Sequence, residues 1–265
     1  MTPSSPAMTK APALTRGYAV VIPMYNEEMN AERCVRAVSV GVAATNPVGA
    51  VIVVDDGSRD HTREILRRLK NEHPSLVVVE HEGNRGYGKA LVTAAREAHR
   101  RGFGYVLFMD ADLTTDPKYI VDFVEKMRGD YDVIKATRYS FGGGISGVPV
   151  RRALISRLGN AVARILFGLP IADCTNGFRA VKTDLLVRLP LRERAFAIIM
   201  EELYYLTGVA KTYAEVPHIL TSRGEGQGLS SFVYRPKVFA QYLKYAVLSR
   251  FCPPRFDTQT TQETR

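Results

Sequence analysis

Four short apolar runs, each followed by a segment with helical spacing, constrain the fold of this chain most strongly. The runs are rich in β-branched and aromatic residues, as is typical of strands that are buried on both faces of a parallel sheet. The segments between them supply the helices that cover such a sheet. The alternation therefore predicts an α/β fold with a central, mostly parallel sheet flanked by helices. The runs are YAVVIPMYN, AVIVVDDGS, LVVVEHEGN and YVLFMDAD.

Acidic and amide side chains follow each of the four predicted strands. In open α/β sheets, ligands bind beyond the carboxyl ends of the strands, where the loops gather. Any one of these side chains could instead cap a helix or close a turn, but their coincidence at one edge favours a site. They are Asn26 and Glu27, Asp55 and Asp56, Glu82 and Asn84, and Asp110 and Asp112.

Asp110 and Asp112 stand two residues apart where the fourth apolar run ends. On an extended strand end, side chains at this spacing point the same way, so the two carboxylates could share one divalent cation. Because two carboxylates leave most of the coordination open, we expect substrate phosphates to complete it. An isolated D-x-D is more often part of a turn, so the metal interpretation depends on the surrounding motifs.

The segment GNRGYGKA, residues 83–90, matches a phosphate-binding P-loop up to its last position. Ala90 stands where that motif needs a hydroxyl for Mg²⁺, so a P-loop NTPase is a remote alternative. A dinucleotide-binding site is less supported still, because carboxylates follow the first strand where glycines should admit a pyrophosphate.

The composition of the chain indicates which classes of partner and which cellular compartment to expect. The 265-residue chain carries a net charge of +9, which favours an anionic partner such as phosphate, nucleic acid or an acidic lipid surface. Its three widely separated cysteines predict neither a disulfide framework nor a zinc site, so a reducing cytoplasm fits best. Residues 1–17 lack an apolar segment, which predicts a disordered leader rather than a signal peptide. No apolar run approaches the roughly 18 residues that span a bilayer.

The second half of the chain has a different character. Residues 141–149 are rich in glycine, which predicts a mobile loop. Residues 150–168 and 237–251 have apolar residues at helical spacing together with arginines or lysines, which predicts two basic amphipathic helices. These helices could lie on a membrane surface, pack on the sheet or, for the last one, dimerise. A further helix is predicted over 195–208, a strand over 211–220 and a tail over 253–265.

Five motifs in this order resemble those of the family 2 glycosyltransferases of the GT-A fold, over roughly residues 18–232. The resemblance implies one catalytic domain over 18–235, with a nucleotide-binding half (18–112) and an acceptor half (113–235), before a helix over 236–252. It also implies a nucleotide-sugar donor, Mg²⁺ or Mn²⁺ on its diphosphate, and inversion at the anomeric carbon. The motifs are VIPMYNEE, VIVVDDGSRD, NRGYGKA, DADL and DCTNGFRA.

The same resemblance assigns donor-binding roles to residues of the first half and to one of the second. Lys89 would add positive charge near the phosphates, although a solvated helix residue is an equal interpretation. Glu201 would lie near the sugar. Asp110 and Asp112 would hold the metal and the diphosphate, with Ala111 between them. Pro23, Tyr25, Glu27, Asp55 and Asp56 would hold the nucleoside.

The second half is most similar to dolichyl-phosphate mannose synthases and related polyprenyl-phosphate glycosyltransferases. The similarity implies that Arg138, Arg152, Ser156 and Arg179 bind the acceptor phosphate, and that Asp173 and Arg179 lie at the reaction centre. Together with Asp112, the residues Arg138, Arg152 and Asp173 form the predicted catalytic set. The chain departs from the family where R-x-x-G-x-S-K-L is common: it has RGEGQGLSSF, without the lysine, which leaves Arg223 and Ser230 as further phosphate ligands.

The resemblance implies a metal-dependent, inverting transferase that moves mannose from GDP-mannose to a polyprenyl phosphate. We expect the protein to be peripheral on the cytoplasmic face of a membrane, without a nucleic acid partner; enzymes of this short architecture can need a separate membrane-anchoring subunit. One alternative keeps the donor but uses the hydroxyl of a soluble glycan or natural product, with Asp173 as the base. A catalytically silent nucleotide-sugar-binding module and the P-loop NTPase are the others.

Overall fold

A seven-stranded sheet forms the centre of the computed structural model, which describes residues 14–73, 75–147, 149–221 and 236–256. The strands are β1 Tyr18–Met24, β2 Ala50–Asp55, β3 Leu76–Glu80, β4 Tyr105–Phe108, β5 Val133–Thr137, β6 Gly144–Ile145, β7 Arg179–Lys182, β8 Tyr213–Pro217 and β9 Ile219–Leu220. The helices are α1 Ala31–Ala43, α2 Thr62–Glu72, α3 Tyr87–Arg100, α4 Ile120–Arg128, α5 Val150–Phe167, α6 Thr183–Leu186, α7 Ile198–Leu206 and α8 Pro236–Phe251, with a 3₁₀ turn over Pro117–Tyr119.

The order of strands in the sheet is β3-β2-β1-β4-β7-β5-β8. Strand β7 runs antiparallel to both of its neighbours, and the remaining pairs are parallel. Because of this reversal, the start of β7 lies beside the carboxyl ends of β4 and β5: Arg179 is in register with Phe108 and with Lys135. The predicted mostly parallel α/β sheet is thus confirmed.

Alternate residues of the central strands fill apolar layers on opposite faces of the sheet. On β1, Val20 and Ile22 pack into a core shared with α1, α2 and α4, whereas Ala19 and Val21 pack into a core shared with α3 and α7. Because side chains alternate along a strand, a strand that is covered on both faces must be apolar at nearly every position. This requirement explains the uninterrupted apolar runs in the first half of the sequence.

A smaller apolar cluster holds α5 and α8 against α7. Its members include Phe167, Met200, Leu203 and Tyr245, all buried. The opposite side of α5 is open: the side chain of Leu158 is 66% exposed and that of Ile165 is 77% exposed. None of the helices among the described residues combines the length and the apolar character needed to cross a membrane.

Several elements differ from the sequence-based expectations. Part of the predicted mobile loop forms β6, which pairs with β9, so the predicted strand over 211–220 is divided into β8 and β9. Strands β5 and β7 were not predicted. Arg16, placed in the leader, forms an ion pair with Asp184, and Phe256, placed in the tail, packs near the ring of Tyr205.

Candidate active site

An open cavity of about 750 Å³ lies at the edge where β4 and β5 end and β7 begins. This volume is within the usual range of small-molecule sites. The turns of the sheet edge and the start of α5 supply its polar lining, and α5, α7 and α8 supply most of its apolar lining. The cavity brings together the predicted metal pair and three predicted phosphate ligands. Its polar and charged lining includes Asp110, Asp112, Thr114, Thr115, Arg138, Arg152, Ser156, Thr175 and Asn176.

Asp110 and Asp112 face the cavity from a turn. Strand β4 ends at Phe108, so the predicted extended strand end is wrong. Oδ1 of Asp112 accepts hydrogen bonds from the backbone N (3.0 Å) and Oγ1 (2.8 Å) of Thr114, which closes an Asx turn. The hydroxyl of Tyr87 donates to Oδ1 of Asp110 at 3.1 Å. A local turn at Asp112 and a long-range hydrogen bond to Asp110, not strand geometry, therefore orient the two carboxylates.

The chemistry of this pair fits a hard divalent cation. Both side chains contribute carboxylate oxygens to the lining of one cavity. Within the described part of the chain, no three Asp, Glu, His or Cys side chains come together as a metal site. A site with few protein carboxylates suits Mg²⁺ or Mn²⁺, which retain waters and bind substrate phosphates.

Asp173 anchors Arg138. The Asp173 carboxylate is fully buried and accepts hydrogen bonds from Nε (2.6 Å), Nη2 (2.8 Å) and the backbone N (3.2 Å) of Arg138. Burial alone would raise the pKa of Asp173, but the charge and hydrogen bonds of Arg138 outweigh it and hold that pKa below its ordinary value. Asp173 does not line the cavity. This geometry contradicts the role of general base and agrees with an orienting role.

The start of α5 contributes Arg152 and Ser156 to the cavity. The hydroxyl of Tyr139 donates to Oγ of Ser156 at 2.8 Å. Asn160, one turn further along α5, donates to Oγ1 of Thr175 at 2.9 Å and accepts from the backbone N of Thr175 at 3.1 Å. Asn160 thus fixes α5 to the segment that precedes β7.

Arg179 lies behind the cavity, so its predicted role as a phosphate ligand is corrected. Its side chain is 1% exposed and forms a two-bond ion pair with Glu202, with both N···O distances at 2.5 Å. Nη1 donates to the carbonyl of Gly177 at 2.8 Å. Buried Lys135 likewise donates to the carbonyls of Cys174 (3.1 Å) and Asn176 (2.6 Å). These cations support the backbone that forms one wall of the cavity.

Glu201 also lies outside the cavity lining, which corrects its predicted position near the sugar. Its carboxylate is buried and accepts hydrogen bonds from the backbone N of Arg192 (2.9 Å) and of Glu193 (2.8 Å). Burial raises the pKa of Glu201 above its ordinary value. The residue shapes the loop between α6 and α7.

Asp55 is the last residue of β2 and Asp56 follows it, at the same edge of the sheet, and both carboxylates are engaged within the protein. Asp55 accepts from Nε of Arg63 at 2.9 Å. Asp56 bonds Nδ1 of His81 at 2.6 Å and accepts from the backbone N of Gly86 at 2.8 Å. Their contact with a nucleoside stays a prediction, as do those of half-buried Pro23 and Glu27 and of exposed Tyr25. The donor-binding roles of half-buried Lys89, near the phosphates, and of buried Ala111 also stay predictions.

Two predicted ligands, Arg223 and Ser230, lie outside the described residues. The structure adds lining residues that were not predicted, chiefly Tyr87, Thr175 and Asn176. All three belong to motifs that carried the resemblance, NRGYGKA and DCTNGFRA, so position within a motif was the available signal.

Comparison with known proteins identifies the family. Residues 19–189 match the family described as Glycosyl transferase family 2. The chain belongs to this family. The predicted enzyme class, a glycosyltransferase, is thereby confirmed, and the P-loop NTPase alternative is set aside.

Curated relatives share a narrower description. The chain is 29% identical over 231 residues to a dolichol-phosphate mannosyltransferase of Pyrococcus furiosus, covering 86% of this chain and 62% of the relative. It is 32% identical over 178 residues to a polyprenol monophosphomannose synthase of Mycolicibacterium smegmatis, covering 67% and 66%. Against an undecaprenyl-phosphate mannosyltransferase of Micrococcus luteus, the identity is 28% over 214 residues, covering 80% and 86%. The chain thus spans slightly less than two thirds of the first two relatives.

Solved structures support the fold. Glucosyl-3-phosphoglycerate synthase of Mycobacterium tuberculosis, in a complex with Mn²⁺, UDP and phosphoglyceric acid, matches with a TM-score of 0.61 at 22% identity, covering 91% of this chain and 80% of that one. S. aureus TarS with UDP-GlcNAc matches with a TM-score of 0.60 at 20% identity, covering 91% and 68%. The predicted GT-A-like fold is confirmed.

Proposed function

We propose that this protein transfers mannose from GDP-mannose to a polyprenyl phosphate. One observation carries the proposal: a single cavity is lined by Asp110 and Asp112, by Arg138, Arg152 and Ser156, and by an apolar wall. The carboxylates suit a metal-bound diphosphate, the arginines and the serine suit an anionic acceptor, and the apolar wall suits a lipid chain. The names of the curated relatives, all mannosyltransferases or mannose synthases of polyprenyl lipids, support the sugar and the acceptor.

At the donor end, Asp110 and Asp112 would hold Mg²⁺ or Mn²⁺. Such an ion, when bound, stabilises the negative charge that develops on the leaving nucleoside diphosphate. The complex of the M. tuberculosis synthase with Mn²⁺ and UDP supports a divalent ion at this fold's donor site. The hydrogen bonds from Thr114 and Tyr87 hold the two carboxylates ready for it.

At the acceptor end, Arg138 and Arg152 bind the lipid phosphate. Planar guanidinium groups suit phosphate oxygens, and the hydrogen bonds that Arg138 donates to Asp173 fix its side chain before the acceptor arrives. A phosphate monoester has a second pKa of about 6, so it is largely dianionic at neutral pH and attacks the anomeric carbon without giving up a proton. Among the described residues, the lining has no histidine and only two carboxylates, Asp110 and Asp112. A hydroxyl acceptor, which needs a base, is therefore the weaker candidate.

The apolar wall suits the first isoprene units of the acceptor. It includes Ile155, Leu158 and Val162 of α5 and Phe239 and Leu243 of α8. Burial of hydrocarbon against such side chains is favourable by about 25 cal/mol for each Å² removed from water. A small polar acceptor would leave this surface uncovered.

The outer side of α5 and α8 suits the headgroup layer of a membrane. Ile165 of α5 and Phe251 of α8 are 77% and 74% exposed, and α5 also carries the exposed cations Arg151, Arg157 and Arg164. Apolar and basic residues together favour the surface of an anionic bilayer. We propose that the protein is peripheral on the cytoplasmic face, where a membrane-anchoring subunit could strengthen its attachment.

The test is transfer of radiolabelled mannose from GDP-mannose into an organic-extractable polyprenyl-phosphate product, with Mg²⁺, with Mn²⁺ or with EDTA. We expect metal-dependent label in the lipid phase, and label from UDP-glucose at a much lower rate. Consumption of donor with label only in water-soluble products would overturn the lipid acceptor. Metal-dependent binding of donor without any transfer would instead support the silent binding module.

A further inference from the structure

Tyr87 contacts Asp110, one of the two predicted metal ligands, but was itself predicted neither as a donor ligand nor as an acceptor ligand. It is the first residue of α3, it lines the cavity, and its hydroxyl donates to Oδ1 of Asp110 at 3.1 Å. The two residues are 23 positions apart, so the hydrogen bond joins the start of α3 to the turn after β4. A donor at Oδ1 limits rotation of the carboxylate and so defines which oxygen is presented to a cation.

The position of Tyr87 is itself set by close packing. Its ring lies 4.5 Å, centroid to centroid, from the ring of Phe196. The adjacent Gly88 donates its backbone N–H to the carbonyl of Arg194 at 2.9 Å, and a Cβ at this glycine would lie 2.1 Å from the carbonyl oxygen of Glu193. The loop that precedes α7 therefore packs directly on the start of α3. A tyrosine held this firmly can hold a carboxylate in turn.

We propose that Tyr87 is a positioning residue for Asp110: it fixes the orientation in which this carboxylate binds the divalent ion. The inference rests on the metal site of the proposed function. Carboxylates that bind metals are usually hydrogen-bonded by outer groups, and the loss of such a group lowers metal affinity by about 10- to 100-fold. The hydroxyl of Tyr87 would act on a bound cation through Asp110, so its loss should affect metal binding more than folding.

The test measures Mn²⁺ binding by electron paramagnetic resonance in the presence of GDP, and again with UDP. We expect Tyr87→Phe to raise the Kd for Mn²⁺ by about tenfold, with an equal or smaller rise in the donor KM. Tyr105→Phe is the matched control, because it removes a hydroxyl that donates to the carbonyl of Tyr131 at 2.8 Å at the other end of β4. It should change the Kd by less than about twofold.

Asp110→Asn and the double variant Asp110→Asn/Tyr87→Phe separate the hypothesis of a metal site at Asp110 from the hypothesis that Tyr87 positions this carboxylate. If Tyr87 acts through Asp110, the hydroxyl has no further effect once the carboxylate is gone, so the double variant should match Asp110→Asn. Wild-type affinity in Tyr87→Phe together with weak binding in Asp110→Asn would overturn the positioning role alone. Equal Mn²⁺ affinity in wild type and Asp110→Asn would overturn the metal site, and the positioning role with it.

Discussion

The two walls of the cavity are built in opposite ways. On the sheet side, polar groups are held by bonds between distant parts of the chain, such as Arg138 to Asp173 and Tyr87 to Asp110. On the helix side, α5 and α8 present aliphatic and aromatic side chains, several of them widely exposed. A wall that takes part in a reaction needs fixed geometry, whereas a wall that receives a flexible chain needs only apolar area.

This difference predicts which substitutions should cost much stability and which should cost little. Loss of one polar partner on the sheet side leaves a buried charge or donor without compensation, which is costly. Loss of one apolar residue on the open helix side removes some contact area and little else. The predictions below test this contrast, beginning with the largest expected change in free energy.

The first prediction concerns the anchor of the sheet-side wall. Asp173→Asn should lower the free energy of unfolding by about 3–5 kcal/mol, because it leaves Arg138 without its buried counter-charge. Urea denaturation measures this loss. Asp184→Asn is the control, since its pair with Arg16 joins two half-exposed side chains and should be worth less than about 1 kcal/mol. Equal losses in the two variants would contradict the contrast between buried and surface pairs.

The second prediction concerns the metal pair. Asp112→Asn should reduce mannosyl transfer by at least about 100-fold, because metal stabilisation of the leaving group is worth several kcal/mol. Lys89→Ala should reduce transfer by less than about tenfold. Initial rates at saturating donor and acceptor provide the comparison. The opposite ranking would favour a P-loop-like role for the segment 83–90.

The third prediction concerns the loss of folding stability at acid pH that arises from buried His218, on the sheet side of the cavity. His218 is buried beside Asn176, and burial lowers the pKa of His218 to about 4. As pH falls below about 6.5, the unfolded chain takes up a proton at this residue and the folded protein does not, so stability falls until about pH 4. The loss is at most about 3 kcal/mol. In His218→Gln, the free energy of unfolding from urea denaturation at pH 4–7 should lack this decrease. If it falls with pH as steeply as in the wild type, His218 is not the source of the decrease.

The fourth prediction tests the open helix side. Ile165→Glu, at a position outside the cavity lining, should weaken binding to phosphatidylglycerol vesicles by about tenfold and change stability by less than about 0.5 kcal/mol. Val40→Glu on α1 is the control, since Val40 is 72% exposed on another helix. Vesicle co-sedimentation gives the affinities. An equal loss in both variants would point to general charge repulsion from the vesicles and not to insertion of α5.

The parts of the fold that could be predicted are those with a strong local signal. Strands β1, β2 and β4 are apolar at nearly every position because they are buried on both faces, and the partly buried edge strand β3 still begins with four apolar residues. Strands β5 and β7 were missed because each is short and carries a buried cation, Lys135 or Arg179, whose burial is stabilised chiefly by distant partners.

The same limit applies to the candidate site. Five residues that motif order singled out line one cavity, and their roles there stay predictions: Asp110, Asp112, Arg138, Arg152 and Ser156. Motif order could not predict which side chains pair with one another inside the protein. The pairing of Asp173 with Arg138 spans 35 residues and that of Arg179 with Glu202 spans 23, and such pairings depend on how the layers pack. Residue type at a motif position therefore indicated location, whereas tertiary contacts decided whether a side chain faces the cavity or supports its wall.

Because β7 runs antiparallel to β5, residues 138–178 form a segment that leaves the sheet and returns to it at the same edge. The chain departs after β5 and returns at Arg179, which is in register with Lys135 on that same strand. Helix α5, with the proposed acceptor ligands Arg152 and Ser156, lies on this segment, while the proposed donor carboxylates Asp110 and Asp112 lie before it. Under the proposed function, acceptor recognition is therefore modular: exchange of this segment would change the molecule that receives the sugar without altering the order or direction of any strand of the seven-stranded sheet.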